Sequence, residues 1–311
     1  MSKINILICD DIAEIGISLL RDKGFEVSYN PTITPANLLL TIPDYNVVIV
    51  RSRTKITPEV ILAGKNLKVI GRAGVGLDNI NLEAAKAAGI TVYNAPDALT
   101  NAVAELVIGQ MLSLSRGICV GNSSLKKGEW LKNQIKGYEL NNKVLGIIGL
   151  GRIGKRVSEI AYALGMKVLF YDIVKVPKKV IKQLNIEYTE IYDLLAKSDY
   201  ITLHIPLTPV TKHFMNREKF SKMKKTAYLI NTSRGAVVDE KALLEALKNE
   251  SIMGAALDVY ETEPPGQNEL LLLSNVICTP HIGAQTIEAQ EAATTGIVKK
   301  IIDFFNIMDN V

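Results

Sequence analysis

The chain has 311 residues, 48% of them hydrophobic and 22% charged, and a net charge of +4. The length is generous for one core and suits two. The scattered positive excess excludes a basic stripe for nucleic acid, and no apolar stretch approaches the roughly 18 residues of a membrane span.

From the N-terminus, residues 4–9 read as a strand that ends on Asp10 and Asp11, with no secretory leader before it. A helix is expected from an Asp11 cap to just before Gly24. Further strands are expected at 47–50, 68–70 and 90–93. Strands alternating with amphipathic segments imply parallel α/β layers. After Asn94-Ala-Pro-Asp97 the composition shifts, and residues 100–126 read as one long helix of small and apolar residues. A strand at 143–148 restarts the rhythm, which continues at 167–171, 200–203, 227–230, 253–257 and 276–278. The last helix, about 285–305, has no local partner and is expected to pack back on the N-terminal part. Two domains follow: a discontinuous one of residues 1–97 and 283–311, and one of residues 98–282 inserted in it. Cys9 and Cys278 lie in apolar runs and read as buried free thiols; Cys119 is the third cysteine, and no two form a Cys-x-x-Cys pair. That fits a reducing compartment, and the expected location is the cytoplasm.

Gly149-Leu-Gly-Arg-Ile-Gly154 stands between a strand and a helix, and Asp172 ends the next strand. In that order the pattern points to a dinucleotide. Gly149 permits the tight turn, Gly151 admits a pyrophosphate, and Gly154 lets helix pack on strand. The helix start at Arg152 and Ile153 offers free N–H groups to the phosphates. Asp172 would accept the ribose hydroxyls and repel a 2′-phosphate, which favours NAD. A second glycine cluster, Gly71-Arg-Ala-Gly-Val-Gly76, lacks the third glycine and the following acid, and reads as a loop near the substrate.

Three later segments each place an ionisable side chain after an apolar run: Asn231-Thr-Ser-Arg-Gly235, Asp258-Val-Tyr-Glu-Thr-Glu-Pro264 and Thr279-Pro-His-Ile-Gly283. Arg234, Glu263 and His281 supply a guanidinium, a carboxylate and an imidazole. Those groups suit a substrate that carries a carboxylate and must exchange a proton at an alcohol carbon. Imidazole, with an ordinary pKa of about 6.5, is the side chain best matched to that proton. His204 ends a strand and is expected to line the cofactor pocket. His213 reads as surface or packing. No cluster of His, Cys and acid has metal-ligand spacing.

Taken together, the glycine loop and these three segments resemble the D-2-hydroxyacid dehydrogenases, and the resemblance runs from about residue 4 to 305. Within that family, Val50-Arg-Ser-Arg-Thr-Lys-Ile-Thr57, Gly71-Arg-Ala-Gly-Val-Gly-Leu-Asp-Asn79 and Gly254-Ala-Ala-Leu-Asp-Val259 look most like the members that oxidise 3-phosphoglycerate. The resemblance implies two doubly wound parallel-sheet domains, a Rossmann NAD-binding domain inserted in a discontinuous flavodoxin-like substrate domain. It implies His281 as general acid/base, Glu263 rather than Glu261 as the partner that orients the ring and favours its protonated form, and Arg234 on the substrate carboxylate. The cofactor set is completed by Pro206, Thr232, Ser233, Asp258, Gly283 and Ala284.

For the substrate, the resemblance implies a phosphate contact at Arg51. Alternate residues of an extended segment point one way, so Arg51, Arg53 and Lys55 are expected to form one cationic patch. Gly74, Val75 and Asn94 would complete the carboxylate end. The expected substrate is a small phosphorylated 2-hydroxy acid, 3-phospho-D-glycerate. Glyoxylate or hydroxypyruvate reduction is the competing enzyme reading, and a dinucleotide-sensing binding protein of the corepressor kind is a third. The helix after Thr100 resembles the family's dimerisation arm and implies a homodimer. Neither nucleic acid nor membrane is an expected partner. With the sequence ending at Val311, feedback through the serine-sensing domain of some members is not expected.

Overall fold

The structure, a computed structural model, describes residues 3–308. Residues 1–2 and 309–311 of the expected outer domain lie outside it. The chain divides into two compact units, one running up to Thr100 and resuming at Ala284, the other Asn101–Gly283.

The first unit holds β1 (Asn5–Ile8), β2 (Glu26–Tyr29), β3 (Val47–Val50), β4 (Val69–Arg72) and β5 (Thr91–Asn94). They form a parallel sheet in the order β2-β1-β3-β4-β5, the flavodoxin-like winding. β3 is buried along its whole length, as a central strand covered on both faces must be. One face packs on a cluster that includes Leu7, Val48, Ile70 and Leu38. Helix Ile287–Met308 covers the other. Ile297 lies so close to Gly71 that a Cβ there would stand 2.7 Å from its Cγ2, and the Ala13 N–H donates to Thr294 Oγ1 at 3.3 Å. Phe305 and Phe304 add tilted ring contacts to Phe25 and Tyr93.

The second unit holds β6 (Val144–Ile148), β7 (Lys167–Tyr171), β8 (Ile186–Tyr188), β9 (Tyr200–Leu203), β10 (Tyr228–Asn231), β11 (Gly254–Leu257) and β12 (Val276–Cys278). All pair in parallel, in the order β12-β11-β10-β9-β6-β7-β8. The winding reverses between β6 and β9, and in such sheets the carboxyl ends at that point hold the ligand. Alternate residues feed two cores: Leu145, Ile147 and Ile230 face one layer, Ile148, Leu203 and Leu229 the other.

Three local expectations are corrected. The single helix over 100–126 is two, Thr100–Arg116 and Ile118–Lys126, bent by 65°. Gly117 takes φ +60 between them, a left-handed backbone that ends a helix. Neither helix is long and apolar enough to cross a membrane. The first helix starts at Glu14 with Ala13 as its uncapped N-cap, because Asp11 Oδ1 instead accepts the Tyr29 hydroxyl at 2.7 Å. Cys9 is buried as expected, whereas Cys278 is exposed at the end of the edge strand β12.

Candidate active site

The glycine loop leaves β6 at Gly149, φ +93, a backbone that only glycine adopts without cost. A Cβ there would stand 2.6 Å from the His204 carbonyl oxygen, so the turn packs on the chain leaving β9. A Cβ on Gly154 would collide with the Gly149 carbonyl oxygen, which is what seats helix Arg152–Ala163 on its strand. Gly151 is different. Nothing lies within 4 Å of its Cβ position. It starts a 12-residue helix with no side-chain cap and no acid in the first turn. Open space in front of unsatisfied N–H groups is what a pyrophosphate needs. Gly151→Val should therefore leave the melting temperature unchanged and weaken NAD binding at least about tenfold, as read by calorimetric titration, since the new side chain fills that space.

Asp172 follows β7. Its Oδ2 accepts the Leu150 N–H at 2.7 Å and its Oδ1 the Val174 N–H at 2.8 Å. It thus braces the glycine loop, a task the sequence did not suggest, and both oxygens retain lone pairs for a ribose hydroxyl. His204 Nε2 lies 3.0 Å from Thr202 Oγ1, and burial pushes the ring down to about 3. It is neutral at neutral pH. Pro206 is exposed in the loop beyond, its carbonyl accepting the Thr211 hydroxyl at 2.6 Å. After β10, Ser233 donates both N–H and hydroxyl to Asn231 Oδ1, at 3.0 and 2.7 Å. The enclosed Thr232 hydroxyl has no hydrogen-bond partner among the described residues. An orphan hydroxyl, an open glycine and a helix start without a side-chain cap together fit a dinucleotide.

The ionisable trio follows β10, β11 and β12. The buried Asn231 amide donates to the Arg234 carbonyl at 3.0 Å and shapes the turn that presents Arg234. Arg234 Nη1 donates to the Ser233 carbonyl at 2.7 Å. Gly235 has no room for a side chain: a Cβ would overlap the Tyr260 carbonyl and lie 2.5 Å from the Glu261 nitrogen. The Arg234 turn and the 258–264 loop are therefore in direct backbone contact.

Asp258 directly follows β11, buried to 1% exposure. Its Oδ1 accepts the Thr279 hydroxyl at 2.6 Å and the Ile282 N–H at 2.8 Å, and its Oδ2 the Gly283 N–H at 2.8 Å. These bonds hold His281 at φ +55, a conformation costing a non-glycine residue about 1–2 kcal/mol. Asp258 and the 282–283 backbone thus form a clamp beside His281, a task the sequence did not suggest. Gln110, buried, donates to Thr279 Oγ1 at 3.2 Å and extends the clamp.

His281 Nδ1 meets Glu263 Oε2 at 2.7 Å. Glu263 Oε1 accepts the Tyr260 N–H at 3.2 Å. Partial burial opposes ionisation of Glu263, but the His281 hydrogen bond and charge, the Tyr260 N–H and Arg234 outweigh it and hold the carboxyl below its ordinary range. With Nδ1 engaged, proton exchange falls to Nε2. Glu261 is not the partner; it faces His213, whose Nε2 stands 3.2 Å from its Oε1.

The substrate-loop candidates belong to the first unit. Asp10, at the end of β1 and 3% exposed, accepts the Arg51 N–H at 2.6 Å, the Thr54 N–H at 3.2 Å and the Thr54 hydroxyl at 2.6 Å. Arg51 reaches the Asp11 carbonyl at 3.2 Å and Gln285 Oε1 at 3.4 Å, and stays partly exposed. Arg53, also exposed, has local partners of its own. Its guanidinium turns inward to Asp10 Oδ1 at 3.0 Å, the Pro31 carbonyl at 2.7 Å, the Ile33 carbonyl at 3.1 Å and the Cys9 carbonyl. These acceptors tie the guanidinium to the sheet end while the side chain stays half exposed. Asn94 Nδ2 donates to the Val75 carbonyl at 2.6 Å, and the Gly74 carbonyl accepts the Ala95 N–H at 2.8 Å, which ties the 74–75 turn to the strand end. Ala284 opens the returning segment of this unit.

Residues 108–283 match the sequence family described as "D-isomer specific 2-hydroxyacid dehydrogenase, NAD binding domain". The chain is 50% identical over 299 residues to the D-3-phosphoglycerate dehydrogenase of Methanocaldococcus jannaschii, covering 96% of this chain but only 57% of that protein. It thus spans little more than half the length of that relative. It is 43% identical over 304 residues to the hydroxypyruvate reductase of Thermotoga maritima, covering 97% of this chain and 98% of the other. The D-lactate dehydrogenase of Aquifex aeolicus, solved with NAD and lactic acid, superposes with a TM-score of 0.85 at 31% identity, over 97% of this chain and 95% of that one.

Proposed function

The chain belongs to the D-isomer specific 2-hydroxyacid dehydrogenases, and from that premise we propose that it oxidises 3-phospho-D-glycerate to 3-phosphohydroxypyruvate with NAD, the first step toward serine. The observation that carries the reaction type is the 2.7 Å bond between His281 Nδ1 and Glu263 Oε2. It fixes the ring and leaves Nε2 for the substrate hydroxyl. In oxidation, Nε2 accepts the hydroxyl proton; in reduction it returns it. Glu263, held ionised, stabilises the imidazolium that forms. Arg234 binds the substrate carboxylate and polarises the adjacent oxygen. Bound NAD supplies the acceptor for the hydride. The Gly149–Gly154 loop, Asp172, His204 and Thr232 are the residues that would hold it, with Pro206, Ser233 and the Asp258–Ala284 segment around them.

Arg51 is assigned the phosphate, with Gly74, Val75 and Asn94 toward the carboxylate. A partly exposed guanidinium on a braced loop suits that task, and the phosphoglycerate-dehydrogenase relatives support it. Arg51→Ala should raise KM for 3-phosphoglycerate about 10- to 100-fold and barely change KM for unphosphorylated glycerate. Equal losses for both would remove the phosphate from the assignment.

Reduction of hydroxypyruvate or glyoxylate is the second reading. A reductase relative of matching length favours it. Initial rates on a panel of hydroxy and keto acids, with NAD and NADH, separate the two. A binding protein without turnover would show none on any of them.

We also infer a cytoplasmic homodimer that works on a small molecule, with neither nucleic acid nor membrane as a partner. Ile118, Val120, Leu125 and Trp130 are exposed at 51%, 43%, 60% and 75% on and after the second bent helix, an apolar surface that suits a second copy.

A further inference from the structure

A reciprocal clamp stands behind the His–Glu pair. Glu240 opens helix Glu240–Lys248. Its Oε1 accepts the Glu261 N–H at 2.7 Å and its Oε2 the Asn268 amide at 2.7 Å. In return, the Glu240 N–H donates to Glu261 Oε1 at 3.0 Å. Asn268 is itself fixed, its Oδ1 accepting the Leu270 N–H at 3.0 Å. Two carboxylates and two backbone N–H groups thus close a ring between the helix start and the 260–263 turn.

That ring ends on the peptide that sets Glu263. The Tyr260–Glu261 peptide is pressed on Gly235 from one side and held by Glu240 from the other. One residue earlier, the Tyr260 N–H donates to Glu263 Oε1, and Glu263 Oε2 holds His281 Nδ1. A shift of the 260–261 peptide therefore turns the Tyr260 N–H and moves the carboxylate off the ring nitrogen. We propose that Glu240 is a positioning residue for the proton transfer: by gripping the Glu261 N–H it keeps the Glu263 carboxylate on His281. This rests on His281 being the proton carrier, as proposed above. An acid in the first turn of a helix also stabilises that helix through its dipole, and that effect alone would leave the chemistry untouched.

Glu240→Ala and Glu240→Gln, measured beside His281→Ala, decide between them. One readout is kcat and KM with NAD and 3-phosphoglycerate. The other is the Nδ1 proton of His281 in the 15N-imidazole NMR spectrum, which needs neither cofactor nor turnover. Glu240→Ala should lower kcat about 10- to 100-fold with KM for NAD within about twofold, and should broaden the Nδ1 proton signal by exchange. Glu240→Gln keeps the oxygen that accepts the Glu261 N–H and loses the Asn268 bond, and it should restore both readouts. The inference is overturned if Glu240→Ala leaves the signal and kcat as in the wild type. It is also overturned if Glu240→Gln recovers the melting temperature but neither readout. Wild-type protein inactive on every hydroxy acid, with a signal that still responds to Glu240→Ala, would sink the reaction and keep the positioning.

Discussion

His281→Ala should cost roughly 10²–10⁴-fold in turnover while NAD affinity stays at its wild-type value. The ring is about half exposed and Asp258 bonds to backbone N–H groups beyond it, so removing the imidazole leaves the 279–283 clamp intact. An alanine at φ +55 keeps the strain that histidine already bears. The loss therefore reports proton transfer and little else. Steady-state rates paired with a titration of NAD against protein fluorescence check it. An undiminished rate would take His281 out of the chemistry.

Gly235→Ala should be the most disruptive change at a residue that touches no reacting atom. A methyl there has no flexible side chain to push aside, because what it meets is the Tyr260 carbonyl and the Glu261 nitrogen. Overpacking of this kind typically costs 1–3 kcal/mol and occasionally more, and here part of it appears as displacement of the 258–264 loop. Differential scanning calorimetry should show the melting temperature falling by about 5–10 °C, with kcat down about 100-fold as Glu263 leaves His281. A variant with wild-type kcat would mean that the two loops are not coupled through this contact.

The strands that carry the site were readable from residue order, because runs such as residues 144–148 and 200–203 are buried and mostly apolar. The edges were not. β2 (Glu-Val-Ser-Tyr) and β8 (Ile-Glu-Tyr) are short, half exposed and paired on one side only, so neither makes an apolar run. The bend at Gly117 was hidden in a segment whose small residues suit a helix on either side. Among site residues, Arg234, Glu263 and His281 stood out because each follows a strand, the place where open α/β sheets present their chemistry. What fixes them was less visible. Asp10 does end an apolar run, which is a usable signal, but Glu240 and Gly235 act through backbone atoms more than twenty residues away, a relation that spacing does not record. The partners of Arg53 were hidden for a related reason. Alternation predicts which way a side chain leaves an extended backbone, and it is silent on carbonyls that draw a long guanidinium back.

The return of the chain to its first unit has a consequence for biogenesis. Gly71 and Gly16 are matched to Ile297 and Thr294, so the early strands and their first helix lack this cover while some two hundred further residues are made. The inserted unit is continuous in sequence and has its full complement of strands by Cys278. Translation, which ordinarily completes the N-terminal domain first, here favours the inner unit and leaves the outer one dependent on its latest-made helix.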